Sequence, residues 1–208
     1  MRNVNLRQNQ DVLQNIIAVT NRHLCKRPFL EQIERICKCH PDAILLREKD
    51  LSADEYEELA DKVLSICKAY DVPCILHTYV NAAKILGIES IHLPLSQFRQ
   101  YSDDIKMGNL PYTFFESFVS IGTSVHSVAE AKAAEKLGAS YITAGHIYAT
   151  DCKKGLPPRG TDFLKEICES VDIPVYAIGG IALGTGQIEE VMECGALGGC
   201  IMSGMMNV

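Results

Sequence analysis

Apolar runs rich in β-branched residues recur along the chain at even spacing, with amphipathic stretches between them, so β and α elements alternate from end to end. Eight runs are predicted as strands: Ile16–Asn21, Ala43–Glu48, Pro73–Thr78, Ser90–Leu95, Phe118–Val125, Tyr141–Ile147, Pro174–Gly180 and Gly198–Gly204. Most are continuous apolar segments, the pattern of strands buried on both faces. Across Ala53–Tyr70, Tyr56, Leu59, Ala60, Val63, Leu64 and Cys67 fall at steps of three and four, which predicts a helix with one apolar stripe. Ser52 with Glu55 three residues on forms a capping box before it, and Ser127 with Glu130 repeats the pattern ahead of Ser127–Leu137, which Gly138 should stop. Strict alternation has two common solutions, a closed (βα)8 barrel or an open doubly wound sheet. Eight strands favour the barrel, and the first turn, AVTNRHLCKRP, lacks a glycine-rich dinucleotide fingerprint. With no linker or low-complexity tract, the expectation is an α/β fold, one TIM-barrel domain over residues 1–208.

Composition narrows the function. With 208 residues, 47% hydrophobic and 22% charged, the chain can bury a full core without metal or disulfide staples. The 26 acidic side chains outnumber 20 basic ones, and a net charge of −6 argues against nucleic acid or an anionic membrane as partner. A phosphorylated metabolite would need a local basic site. No stretch approaches the ~18 apolar residues of a membrane span, and the start, MRNVNLRQNQDVLQN, lacks the apolar run of a signal peptide, so a cytoplasmic protein is expected. Nine scattered cysteines without a CxxC read as reduced thiols. The tightest group, Cys37, Cys39 and His40, fits one thiol in the core and one at the rim better than a metal site.

A barrel of this kind places its chemistry at the C-terminal ends of its strands. There the sequence puts Arg47-Glu48-Lys49-Asp50, His77-Thr78, His92, Ser124-Val125-His126, and Gly145-His146 leading into Thr150-Asp151-Cys152-Lys153-Lys154. A single histidine at such an end is more often a rim residue, but His146, on a short turn after a glycine and close to paired lysines, reads as functional. Gly179-Gly180 after the seventh strand and Met202-Ser203-Gly204 after the eighth stand where this fold usually cradles phosphate on backbone N–H groups. The run Thr150–Gly160 is a loop by its Gly and Pro content, and its three cations are either a solvated face or a cover for an anionic substrate.

Together, Arg47-Glu48-Lys49, Gly122-x-Ser124-x-His126-Ser127, Tyr141-x-x-x-Gly145, Thr150-x-x-Lys153, Ala177-Ile178-Gly179-Gly180-Ile181 and Met202-Ser203 resemble the thiamin phosphate synthase superfamily, in order and over nearly the whole chain. That resemblance implies a TIM barrel joining a pyrimidine diphosphate to a thiazole phosphate, with Mg²⁺ held by two aspartates. Where those synthases read Asn-Asp-Arg-Val-Asp, this chain reads His77-Thr78-Tyr79-Val80-Asn81, and Gln97 replaces the second carboxylate. The glutamine that precedes Arg-x-Lys in synthases is absent, with Leu45 and Leu46 before Arg47. The stretch Gly145–Leu156 looks instead like the TenI branch, the thiazole tautomerases, in which a histidine at the position of His146 is proposed to move protons. An imidazole with a pKa near ~6.5 suits that task.

The reading is therefore a metal-free aromatising tautomerisation of a thiazole carboxylate phosphate, an isomerase with no cofactor. His146 would carry the proton, with His126 as second candidate. Gly179, Gly180, Met202 and Ser203 would hold the phosphate of a small phosphorylated thiazole; Ser124 lines the same site, and Lys153, with Arg47 or Lys49, would balance the carboxylate. Two alternatives are a true synthase, which would need Mg²⁺, and a non-catalytic regulatory or ligand-binding protein of TenI type. A zinc hydrolase built from His77, His92, His126 and His146 is disfavoured because no His-x-His pair ends a strand. The sequence stops four residues after Gly204, so the eighth helix is expected to be missing and the seam beside the first strand to be covered by Asn3–Asn15 or by a second subunit, making a homodimer.

Overall fold

Isoleucine, valine, leucine and alanine fill the short segments that pair. In the computed structural model, which describes residues 13–150, 153 and 155–208, these segments form eight parallel strands. They are β1 (Ile16–Val19), β2 (Ala43–Leu46), β3 (Cys74–His77), β4 (Ser90–Pro94), β5 (Ser120–Val125), β6 (Tyr141–Gly145), β7 (Val175–Ile178) and β8 (Gly198–Ile201). They pair in chain order and β8 returns to β1, so Ile17 lies opposite both Ala43 and Cys200 and the sheet closes into a barrel. Parallel neighbours need long crossovers. Seven helices provide them: α1 (Phe29–Lys38), α2 (Ala53–Ala69), α3 (Val80–Ile85), α4 (Leu95–Lys106), α5 (Val128–Lys136), α6 (Gly160–Ser170) and α7 (Gln187–Glu193). No helix among the described residues is long and apolar enough to cross a membrane.

The strands end earlier than the apolar runs do. Predicted to reach Asn21, Glu48, Gly180 and Gly204, they leave the ladder at Val19, Leu46, Ile178 and Ile201. Beyond these points the backbone turns, with φ of 104° at Gly179 and 74° at Gly180, and cannot continue a strand. The capping box at Ser52 is complete, with both Ser52 and Glu55 side chains bonded across it. At Ser127 only half of it forms: Ser127 accepts from the Glu130 N–H at 3.1 Å, while the Glu130 carboxylate reaches past the cap to the His126 N–H at 2.6 Å. Of the two close cysteines, Cys37 is buried and Cys39 half-buried, the expected core and rim positions; the cysteines among the described residues are free thiols.

Side chains alternate across each strand. Ile16, Ala18, Ile44, Leu46, Leu76, Ile91, Leu93, Ile142, Ala144, Val175, Ala177 and Ile201 face outward and join the buried helix faces in the main core. Ile17, Val19, Ala43, Leu45, Ile75, Tyr141 and Cys200 face inward and form a second, smaller cluster with Tyr176, Ile178 and Met202. The lumen is thus packed, not hollow.

After β8 the chain enters a 3-10 turn, Met205–Asn207, where an eighth helix would stand. Met205 and Met206 are fully buried. The Met206 sulfur accepts from the Asn21 N–H at 3.3 Å, and Gln32 Nε2 donates to the Met205 carbonyl at 2.7 Å. The outward residues at the seam, Ile16, Ala18 and Ile201, are 4%, 0% and 1% exposed. These seam residues are thus covered within a single chain. Of the segment Asn3–Asn15 expected as cover, residues 3–12 lie outside the described residues. Met206→Ala should therefore cost ~2–5 kcal/mol in urea unfolding; a loss under ~1 kcal/mol would mean that the turn does not seal the seam.

Candidate active site

Alternation decides which polar residues reach the mouth of the barrel. Beyond β2, Glu48 turns away from the lumen. It is 2% exposed and accepts from the Thr20 hydroxyl at 2.7 Å, the Arg22 N–H at 3.0 Å and Arg22 Nη1 at 3.1 Å, while Arg22 also pairs with Asp50 at 2.5 Å. This brace ties the ends of β1 and β2 together. Its neighbours Arg47 and Lys49 fall on the other parity, and both act electrostatically on His77 and His92 inside the barrel. The Arg-x-Lys spacing thus sets two cations on one face with a structural glutamate between them.

His77 and His92 stack with centroids 5.6 Å apart and are 5% and 1% exposed. Burial, with the neighbouring cations adding to it, lowers the His77 imidazole to about 2 and that of His92 to about 3, so both are neutral at pH 7. His92 Nδ1 lies 3.1 Å from the Tyr141 hydroxyl and Nε2 2.9 Å from Ser124 Oγ, which in turn is 2.9 Å from Thr143 Oγ1. In the sequence His77 and His92 stand out only as strand-end histidines and disfavoured zinc ligands, Tyr141 only within Tyr141-x-x-x-Gly145, and Thr143 not at all. The signal was available in Ser-Ile-His-Leu-Pro and Tyr-Ile-Thr, where polar residues alternate with apolar ones.

His146 follows β6 and is 7% exposed, with both ring nitrogens buried and neither bonded to any described residue. A buried polar atom without a partner costs ~1–3 kcal/mol, and such atoms in native folds mark water, ligand or catalytic positions. The His146–Ala149 backbone presses on the end of β7. A Cβ on Gly179 would meet His146 Cβ at 2.5 Å, and one on Gly180 would strike the Ala149 carbonyl. These glycines therefore have a packing reason beside the anion-binding one. The N–H groups of Gly180, Ser203 and Gly204 donate to no acceptor among the described residues, and they sit at the ends of adjacent β7 and β8. His126 is half-buried and bound to Glu130, Nδ1 to Oε2 3.5 Å. Partial burial and then the nearby Lys153 lower its pKa, Glu130 opposing them. Arg159 is exposed and stacks on Phe163, and of the cationic loop Asp151, Cys152 and Lys154 lie outside the described residues.

The strand ends thus carry Arg47 and Lys49 beside His77 and His92, Lys153 beside His126, and open backbone donors on Gly180, Ser203 and Gly204, a set suited to an anionic ligand and to proton transfer. A profile of the family described as "Thiamine monophosphate synthase" matches residues 16–205. The chain belongs to the thiamine monophosphate synthase family. It is 36% identical over 169 residues to "Putative thiamine-phosphate synthase 2" of Aquifex aeolicus, covering 81% of this chain and 86% of that protein. It is 32% identical over 193 residues to "Thiamine-phosphate synthase" of Caldanaerobacter subterraneus, covering 92% and 86%. Among solved structures, a thiamine phosphate pyrophosphorylase from Pyrococcus furiosus superposes with a TM-score of 0.73 at 27% identity, covering 95% of this chain and 89% of that one. The family places the chain in thiamine biosynthesis, with phosphorylated small molecules as substrates.

Magnesium, which the resemblance assigns to the family's synthases, does not fit the donors present here. Thr78 Oγ1 is bonded to His77 Nδ1. Gln97 Nε2 donates to the Thr78 carbonyl at 3.1 Å and the Tyr101 hydroxyl at 3.3 Å, and Gln97 Oε1 is buried without a partner among the described residues. An amide and a hydroxyl replace two carboxylates, whereas Mg²⁺ selects carboxylate and phosphate oxygens. Nor do the described residues hold any group of three His, Cys, Asp or Glu side chains able to bind a metal, which also removes the zinc arrangement. Thr78 keeps a φ of 71°, a conformation that costs a β-branched residue ~1–3 kcal/mol, with its N–H bonded to the His92 carbonyl at 3.0 Å.

The buried imidazoles make stability depend on pH with a definite sign. Folded pKa values of about 2 for His77 and about 3 for His92 lie below the unfolded value of ~6.5, so the unfolded chain binds more protons between these limits. The neutral-ring contribution is fully present above pH ~6.5 and is lost as pH falls toward 3. Melting temperature should therefore fall from pH 7 to 5, above the range where carboxylates titrate, and His77→Gln should flatten the slope. An unchanged slope would remove His77 from this linkage.

Proposed function

We propose that the chain is a thiazole tautomerase: it aromatises a thiazole carboxylate phosphate by acid–base proton transfer, without metal. His146 carries this reading, because it is a buried imidazole with neither ring nitrogen hydrogen-bonded among the described residues. One nitrogen takes the proton from the ring carbon bearing the carboxylate, and the same ring returns a proton to the exocyclic carbon, so no net charge is gained. The phosphate lies on the open N–H groups of Gly180, Ser203 and Gly204. Arg47, Lys49 and Lys153 balance the carboxylate, and His126, tied to Glu130, takes the lesser role of lining the mouth. The donor set at Thr78 and Gln97 favours this reaction over one that needs two metal carboxylates.

The names of the relatives favour a second reading, the synthase, a transferase joining a pyrimidine diphosphate to a thiazole phosphate. General acid–base catalysis is worth ~10²–10⁴-fold. His146→Ala should accordingly lower the rate of aromatic product formation, followed by ultraviolet absorbance with chelator present, by about that factor. An unchanged rate would remove His146 from the mechanism. Thiamin phosphate formed only with Mg²⁺ would establish the synthase, and binding of the thiazole without turnover of any kind would point to a regulatory protein.

A further inference from the structure

The polar chain inside the barrel has more hydrogens than contacts. Tyr141, Thr143 and Ser124 each carry a hydroxyl hydrogen, and neutral His92 carries one on a ring nitrogen. Three contacts join them: Tyr141 to His92 Nδ1 at 3.1 Å, His92 Nε2 to Ser124 Oγ at 2.9 Å, and Thr143 Oγ1 to Ser124 Oγ at 2.9 Å. One hydrogen must leave the network. Tyr141 is 7% exposed and Thr143 1%, and neither hydroxyl has a second acceptor among the described residues, so a hydrogen stranded on either would be buried unpaired. Ser124 is the half-buried member at the mouth. The count is satisfied when Tyr141 donates to Nδ1, Nε2 and Thr143 donate to Ser124, and the Ser124 hydrogen points outward.

We infer that Tyr141, His92 and Thr143 are positioning residues that fix Ser124 as an obligate hydrogen-bond donor to an anionic oxygen of the ligand. With both Ser124 lone pairs taken, the hydroxyl cannot accept from a ligand N–H or O–H, so it selects for an acceptor. Gly122 makes the chain possible. A Cβ there would overlap the Tyr141 ring, so the glycine two residues before Ser124 leaves room for the ring that sets the hydroxyl's direction. Burial keeps His92 neutral, its pKa lowered to about 3, and this preserves one N–H and one bare nitrogen across the working pH range. The inference rests on the reading of the mouth as an anion site, not on which reaction follows.

Two readouts without turnover test it. In the chain labelled with ¹⁵N-histidine, with His92 assigned by loss of its signals in His92→Gln, the neutral ring should carry its hydrogen on Nε2; a hydrogen on Nδ1 would overturn the relay. Calorimetric binding of inorganic pyrophosphate should weaken about 10- to 100-fold in Ser124→Ala, the cost of one hydrogen bond to a charged group. Tyr141→Phe should weaken it about 10-fold alone and by less than about twofold when Ser124 is already alanine. Equal losses from Tyr141→Phe in both backgrounds would contradict a route through Ser124. Failure of pyrophosphate to bind the unaltered chain would overturn the anion assignment and the anion-site reading, while the tautomer still decides the relay.

Discussion

The two-residue alternation of side chains along eight short parallel strands governs everything else in this molecule. In a closed barrel each strand has a lumen face and a helix face, and a one-residue shift would exchange them. Ile44 and Leu46 pack against helices while Ala43 and Leu45 fill the lumen. Burying a side chain of this size is worth ~1.5–3 kcal/mol, and most strands place at least one on each face, so the register is not negotiable. The same parity that fixes the core decides which polar residues can meet at the mouth.

Its chemical consequences are specific. Arg47 and Lys49 share a face because they are two residues apart, and Glu48 between them is free to brace Thr20 and Arg22. His92 and Ser124 meet across β4 and β5, and Tyr141 and Thr143 reach them from β6 because they share its lumen face. Carboxylates are held at the rim or in braces, so the lumen side of the mouth presents imidazoles, hydroxyls and cations. A site with that inventory binds anions and moves protons more readily than it holds a divalent cation.

Much of this was legible in the sequence, for physical reasons. Continuous β-branched runs such as Ala43–Leu46 mark strands buried on both faces, and their number implied the barrel. Positions at strand ends, His146 and Gly179-Gly180 among them, followed from the fold alone. Three things were not legible. The strand ends ran too far, because apolar content continues through turns whose direction depends on φ at Gly179 and Gly180. The cover beside β1 was hidden because nothing in Met-Met-Asn announces a turn that buries both of its methionines there. The packing demand on Gly122 and Gly179 was invisible because each glycine makes room for a side chain distant in sequence, Tyr141 and His146.

His146 is central to the proposed chemistry, a buried ring whose nitrogens meet no described residue. The most direct measurement is a ¹⁵N-histidine NMR titration of the unaltered protein with thiazole phosphate, reading each ring separately. The account predicts that the His146 nitrogen resonances move as a hydrogen bond to the ligand forms, while exposed His40 stays fixed. A ligand that saturates the protein and leaves the His146 resonances where they were would contradict it.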